Sequence, residues 1–244
     1  MKIKKHITAL ATAAALSATL PAVAQQSQHM TPETMLSLAR VGASALSPDG
    51  KTVVYSVGFP SIKDNKIRTE LFTISSDGSA RRQITQGVAG VHGARWIQQG
   101  RRISYISSES GAPQVWTMAP DGTDRRQVTN IEGGLSDYLF SPDEKQLAYI
   151  KEISFGKSTK EIYPDLPKAT GRIITDLMYK HWDEWVETIP HIFIAPVGGE
   201  AITGGKDILE GEPYEAPTKP FGGAEELSWS PDGKTLAYSS RKKT

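Results

Sequence analysis

The sequence contains no cysteine, so no disulfide staples the fold and no thiolate serves as nucleophile or metal ligand. Charge of one sign is equally scarce: a formal net charge of +1 gives no reason to expect nucleic acid or an anionic membrane surface as partner. The paired arginines at 81–82, 101–102 and 125–126 are balanced by as many acids and read as repeat surface, not as a phosphate-binding stripe. Past residue 20 there is no long apolar run, and the run Ile7–Leu20 is shorter than the ~20 residues that cross a bilayer. Catalytic signatures are missing too, with no Gly-x-Ser-x-Gly elbow, no His-Glu-x-x-His, no phosphate loop and no dinucleotide fingerprint. The histidines (His6, His29, His92, His181, His191) form no nucleophile–base–orienter grouping along the chain. Neither a cofactor nor a metal is expected.

What is present begins with an export signal. Lys2, Lys4 and Lys5 precede the apolar run, and Ala22-Val23-Ala24 offers small residues where a signal peptidase cuts. Residues 1–24 are therefore expected to be a signal peptide cleaved after Ala24, leaving an exported protein, periplasmic or secreted, without a membrane span. Twin arginines are absent from the leader, which points to the general export route. Residues 25–45 are expected to form an N-terminal helix and lead-in: Thr31 caps, Pro32 suits the first helical position, and Glu33 faces the positive end of the dipole. The helix is predicted to run to about Arg40, with Met35, Leu36 and Leu38 available to pack and Gly42 ending it.

From residue 46 the chain repeats. Ser47-Pro48-Asp49-Gly50 fits a type I turn and returns as Ile97-Gln98-Gln99-Gly100, Ser141-Pro142-Asp143-Glu144 and Ser230-Pro231-Asp232-Gly233. A bulky residue precedes each turn (Leu46, Trp96, Phe140, Trp229) and a tyrosine follows at fixed distance (Tyr55, Tyr105, Tyr149, Tyr238). In the first unit, strands around Val53–Val57, Leu71–Ile74 and Arg82–Thr85 follow, the latter two joined through the hairpin signal Asp77-Gly78. Four short antiparallel strands per period of about 44 residues match the blade of a β-propeller, whose sheets bury both faces only by stacking. The fold class is therefore all-β, a propeller of four-stranded antiparallel blades, with a β-sandwich as the alternative. The residue before each repeated tyrosine is mostly small (Val54, Ser104, Ala148, Ala237), as close sheet packing requires.

The third unit carries excess chain between its second and third strands, an insertion at about residues 151–190; a degenerate hidden blade is the other way to read the spacing. The third blade is expected to resume at Ile192–Ala195, with Ala201-Ile202-Thr203 as its fourth strand. The fourth unit has two of its four strands before Thr244. Residues 46–244 thus amount to an incomplete ring of about three and a half blades. The expectation is a piece of a longer polypeptide, or otherwise a chain that is unstable alone or associates, as a homo-oligomer would, through its open edges.

The densest chemistry is Lys180-His181-Trp182-Asp183-Glu184-Trp185-Val186-Glu187. His181, Trp182, Asp183, Glu184, Trp185 and Glu187 are the candidate ligand-binding residues, because carboxylates and indoles together hold an amine by charge-assisted hydrogen bonds and cation–π contact. The alternative is that Trp182 and Trp185 anchor the insertion on the propeller while the charges face water. A metal site from His181, Asp183 and Glu184 is disfavoured, since adjacent side chains point apart. Asp49, Asp77, Asp121 and Asp232 read as turn residues.

The Thr31-Pro32-Glu33 start running into Arg40-Val41 and Ser47-Pro48-Asp49-Gly50, together with the Lys180-His181-Trp182-Asp183-Glu184-Trp185 insertion, resembles the N-terminal propeller of secreted serine peptidases of the prolyl oligopeptidase family. Within it the dipeptidyl peptidase V and acylaminoacyl-peptidase branch is the nearest. The repeats themselves are shared with TolB-like propellers. The resemblance implies a ring of seven or eight blades, a following α/β-hydrolase domain with a Ser-Asp-His triad, and peptide substrates cleaved as dipeptides. It also implies a propeller that limits access to short peptides. That catalytic domain is not in these residues, so no catalytic residue is assigned and this chain is expected to be inactive alone. In related dipeptidyl peptidases paired glutamates on a propeller insertion hold the substrate's free amino terminus; Asp183, Glu184 and Glu187 lie in an insertion at a different spacing. A non-enzymatic periplasmic propeller that binds other proteins, as TolB does, is the other function considered. In a four-stranded meander the tight turns fall on one face of the disc and the insertion on the other, where it would face a catalytic domain.

Overall fold

The repeated turn builds the same structure wherever serine and aspartate are both present. Gly50 N donates to Ser47 O at 2.9 Å. The Ser47 hydroxyl donates to Asp49 Oδ1 at 2.6 Å, and Lys51 N donates to the same oxygen at 3.1 Å. Ser141 with Asp143 and Ser230 with Asp232 repeat both bonds. The aspartates thus satisfy backbone donors that a turn leaves open. At the second repeat, which lacks both residues, Gln98 and Gln99 adopt left-handed backbone (φ 51° and 56°), and Gln98 N instead donates to Glu144 of the next unit.

The computed structural model of the chain describes residues 29–175 and 180–242; the expected export leader and residues 176–179 of the insertion lie outside them. After helix α1 (Pro32–Ser37), strands β1 (Arg40–Leu46), β2 (Thr52–Ser61), β3 (Lys66–Ser75) and β4 (Arg82–Gln83) form one sheet in that order. The second sheet is β5 (His92–Ile97), β6 (Arg102–Ser107), β7 (Gln114–Met118) and β8 (Arg126–Gln127). The third begins with β9 (Asp137–Phe140) and β10 (Gln146–Ser154). After α2 (Thr159–Ile162), β11 (Lys180–His181) and β12 (Glu184–Trp185) it closes with β13 (Thr188–Pro196) and β14 (Lys206–Asp207), in the order β9-β10-β13-β14. The last described pair is β15 (Leu227–Trp229) with β16 (Leu236–Tyr238). The three four-stranded sheets are consecutive antiparallel blades of a β-propeller.

The repeated aromatics explain the register. Tyr55 pairs with Phe72, Tyr105 with Trp116 and Tyr149 with Phe193 across the second and third strands. Two of these pairs stack, at 5.7 and 5.3 Å between ring centres, the cross-strand contact that pins a sheet. The bulky residue before the turn works between blades: the Trp96 indole donates to Ala45 O at 3.0 Å, and Trp229 repeats this with Leu139 O at 3.3 Å. Successive apolar clusters fill the blade junctions, centred on Val54, Leu71 and Ile103, then on Ile106, Tyr138 and Leu147, then on Ile150, Ile192 and Leu227. The turns touch around one face of the disc, since a Cβ on Gly100 would stand 3.3 Å from Pro48 and one on Gly233 would stand 3.2 Å from Asp143.

Three expectations need correction. Helix α1 stops at Ser37, with Met35, Leu36 and Leu38 all exposed, because β2 recruits Arg40 and Val41 into β1. Gly42 lies inside that strand, where a Cβ would meet the Ser56 hydroxyl at 2.4 Å; it permits close strand approach and does not end the helix. Strands β2 and β3 run past the expected Val53–Val57 and Leu71–Ile74, pairing from Thr52↔Ser75 to Ser61↔Lys66 around a turn at Asn65 (φ 48°). Finally, Ala201-Ile202-Thr203 is not a fourth strand. Ile202 forms a parallel bridge with Thr129 and joins the core between the second and third blades, and β14 takes the edge.

The turn aspartates predict an acid sensitivity. The Ser47, Ser141 and Ser230 hydroxyls, helped by the Lys51, Lys145 and Lys234 amides, hold Asp49, Asp143 and Asp232 below the ordinary 3.8. A carboxylate lowered on folding stabilises the native state above its unfolded pKa, and that contribution is lost as pH falls through the folded value. The melting temperature should therefore be level from about pH 7 to 5 and fall below about pH 4. A melting temperature unchanged down to about pH 2.5 would show that these turns contribute nothing.

Candidate functional site

The insertion leaves the third blade at the end remote from its tight turn. Strands β10 and β13 pair from Gln146↔Pro196, beside the Ser141 turn, to Ser154↔Thr188, and Phe155 N donates to Glu187 O at 2.9 Å to close the base. The described residues of the insertion, 155–175 and 180–187, thus stand on the face opposite the ring of turns. Within them, Ser158 and Glu161 cap α2 reciprocally, and the Thr159 hydroxyl donates to Gly171 O at 2.6 Å. That bond ties the outgoing chain to the returning one.

The return forms a two-stranded hairpin in which Lys180 faces Trp185 and His181 faces Glu184. Trp182 and Asp183 make its turn, with Trp182 left-handed at φ 56° and 73% exposed. Its ring meets that of Phe221, itself exposed, edge to face with ring centres 5.2 Å apart. Trp185 carries two cations on its ring, Arg172 Cζ at 4.6 Å and Lys180 Nζ at 4.5 Å. Arg172 Nε also pairs with Glu187 Oε1 at 2.7 Å, on the surface. Asp183 and Glu184 are exposed and make no ion pair among the described residues.

Of the sequence candidates, His181 is the one directed under the hairpin. Its Nε2 lies 3.4 Å from Glu215 Oε2. Glu215, 7% exposed, comes from the link between the third blade and β15, which Ala216 N fastens to Pro190 O at 3.0 Å. Arg241 Nη2 donates to the other carboxylate oxygen of Glu215, and Phe155, Val186, Ile189, Pro213 and Tyr214 complete a small pocket. A carboxylate this withdrawn from water needs partners for its charge. Glu215 has two, one lent by the insertion and one by the chain after β16. The structure therefore brings His181 together with Glu215 and Arg241, and leaves Trp182, Asp183, Glu184, Trp185 and Glu187 on the rim.

One pairing invites a catalytic reading and does not support it. His191 Nδ1 lies 2.8 Å from Asp207 Oδ2, in the manner of a base and its orienter. Yet His191 is 0% exposed and its Nε2 has no partner among the described residues, so no substrate reaches it. The repeat supplies its role. The residues at the same place in β3 and β7 are Glu70 and Gln114, both buried, and each accepts a hydrogen bond at 2.7 Å from a threonine after the fourth strand, Thr85 or Thr129. His191 with Asp207 is the third blade's version of this latch.

No protein-family model matches the chain. Over 217 residues, 89% of its length, it is 63% identical to dipeptidyl-peptidase 5 of Porphyromonas gingivalis. It spans 32% of that protein, so it covers about a third of the curated relatives it matches. Among solved structures, the uncomplexed acylaminoacyl peptidase of Pyrococcus horikoshii superposes with a TM-score of 0.55 at 12% identity, over 83% of this chain and 28% of that one. TolB from Acinetobacter baumannii gives 0.51 at 16% identity, over 82% and 38%. These two likenesses establish the propeller fold and nothing about chemistry.

Proposed function

From the chain's kinship with the propeller of prolyl oligopeptidase-family peptidases, we propose that it is the access-limiting propeller of an exported serine exopeptidase that removes dipeptides. The observation that carries this reading is the 63% identity to dipeptidyl-peptidase 5 over 89% of the chain. The chemistry would be acyl transfer from peptide to a serine and then to water, performed by a hydrolase domain outside these residues. The propeller narrows the approach, so that only short or unfolded peptides reach the serine. The insertion and the pocket of His181, Glu215 and Arg241 face that domain and receive the amino end of the peptide. A buried carboxylate beside an apolar wall suits a protonated amine, and the indoles of Trp182 and Trp185 extend the same surface along the peptide.

Hydrolysis of dipeptidyl chromogenic substrates tests this. The full polypeptide should turn them over in a manner abolished by a serine-directed inhibitor, and the 244-residue chain should give only the background rate. Inhibitor-sensitive turnover by the 244-residue chain, or none by the full polypeptide, would overturn the proposal, the second outcome leaving a protein-binding propeller.

A further inference from the structure

Between the first and second blades, on the face of the tight turns and away from the insertion, lies a cleft of about 410 Å³, within the range of small-ligand sites. Its walls are Thr52, Thr73 and Arg82 of the first blade and Trp96, Pro120 and Asp121 of the second, with the Ser47–Asp49 turn at its mouth. The repeat shows what fills the equivalent space in the second blade. Arg102 occupies in β6 the place that Thr52 occupies in β2, and it fills the space. Its guanidinium donates to the Thr117 hydroxyl at 3.1 Å and to Asp124 Oδ2 and O at 2.7 Å. In the first blade Thr73 stands where Thr117 stands, equally buried, but its hydroxyl has no hydrogen bond among the described residues. The cleft is the volume an arginine side chain takes up one blade further on.

We propose that this cleft binds the guanidinium of an arginine side chain presented by a polypeptide partner. The Thr73 hydroxyl accepts from the guanidinium as Thr117 does from Arg102. Two carboxylates, Asp49 and Asp121, line the cleft, and each uses Oδ1 in its own turn, leaving Oδ2 for an incoming donor. Hydroxyl and amide bonds hold both below the ordinary carboxylate value, so both are charged at neutral pH. Arg82 is the opposing charge on the walls, and its field contributes to lowering Asp121, as that of Lys51 outside the cleft contributes to lowering Asp49; the walls themselves carry two carboxylates against one guanidinium. The Trp96 indole, clamped by its bond to Ala45 O, offers a ring to a planar cation. Ala80 stands where Asp124 stands, at φ 52° against 51°, so the carboxylate that completes the second blade's site is the one group missing here.

Saturation-transfer NMR on the full polypeptide tests this with three probes: N-acetyl-arginine amide, N-acetyl-lysine amide and the neutral N-acetyl-citrulline amide. The arginine probe should bind at least about tenfold more tightly than the citrulline one, and more tightly than lysine, whose ammonium cannot bond in a fork. Thr52→Arg supplies the guanidinium from within and should weaken arginine binding at least about tenfold without lowering the melting temperature. Ala80→Asp restores the missing carboxylate, at a backbone angle aspartate tolerates better than alanine, and should tighten arginine binding by about tenfold. Equal binding of the three probes, unchanged binding in Thr52→Arg, or no tightening in Ala80→Asp would each refute a guanidinium site. None of these readouts involves peptide hydrolysis, so the outcome is independent of the proposed peptidase role.

Discussion

On the proposed peptidase role, Glu215→Gln made in the full polypeptide is expected to lower kcat/KM for dipeptidyl chromogenic substrates by about 30-fold or more, with KM carrying most of the change. Glu215 is a carboxylate 7% exposed, paired with His181 and Arg241 in a pocket that Phe155, Val186, Ile189, Pro213 and Tyr214 complete. Truncating one partner of a desolvated, hydrogen-bonded charge pair costs about 2–5 kcal/mol, and each 1.36 kcal/mol is a factor of ten. An amine bound there would lose that much when the acid becomes an amide. The fold should survive, because Arg241 is 46% exposed and can turn to water. His181→Ala should act in the same direction and less strongly, since on that reading the imidazole, 3.4 Å from the acid, positions it and the acid meets the amine. Activity of Glu215→Gln within about threefold of the parent would remove Glu215 from substrate binding and return attention to the rim residues Asp183, Glu184 and Glu187.

Why Glu215 could not be found in the sequence is instructive. Its partners His181 and Arg241 lie on either side of it at long separation, and the three meet only because the link before β15 folds back on Pro190. No periodicity records such a meeting. The blades were legible for the opposite reason: Ser-Pro-Asp turns, tyrosines and tryptophans recur because every blade needs the same local bonds, and repetition is visible in one dimension. The buried latch falls between the two cases. Glu70, Gln114 and His191 each precede an apolar strand residue (Leu71, Val115, Ile192), and a polar residue kept at one place in otherwise apolar strands signals a satisfied buried group. Three different residue types concealed it. Asp137 was hidden by convergence, as Arg95 Nη2 at 3.3 Å and Ala224 N at 3.1 Å reach it from neighbouring blades. The early end of α1 was lost to tertiary override, because pairing with β2 outweighs the helix propensity of residues 38–41.

Two conservative substitutions of buried tyrosines should separate sharply, although the chemical change is identical. Tyr138 is 0% exposed, and its hydroxyl joins two blades, its one proton shared between Gly93 O at 3.0 Å and Ser104 Oγ at 2.8 Å. Arg95 lies over its ring at 5.5 Å and Phe140 meets it edge-on at 5.8 Å. Burial pushes its phenol well above the ordinary 10.0, so it stays a neutral donor at any pH the fold tolerates. Tyr138→Phe leaves the Ser104 hydroxyl and the Gly93 carbonyl without that donor and should cost about 1–3 kcal/mol; Tyr138→Ala adds a cavity and should cost about 3–5 kcal/mol. Tyr105 is also 0% exposed, its phenol pushed up to about 12 chiefly by burial, but its hydroxyl has no hydrogen-bond partner among the described residues. Removing that oxygen deletes a buried group whose desolvation nothing offsets, so Tyr105→Phe should be neutral or stabilising. Denaturant midpoints of the two phenylalanine variants decide the matter. Equal destabilisation would mean that the Tyr138 bonds contribute no more than the volume of one oxygen, and that the blades are joined by apolar contact alone.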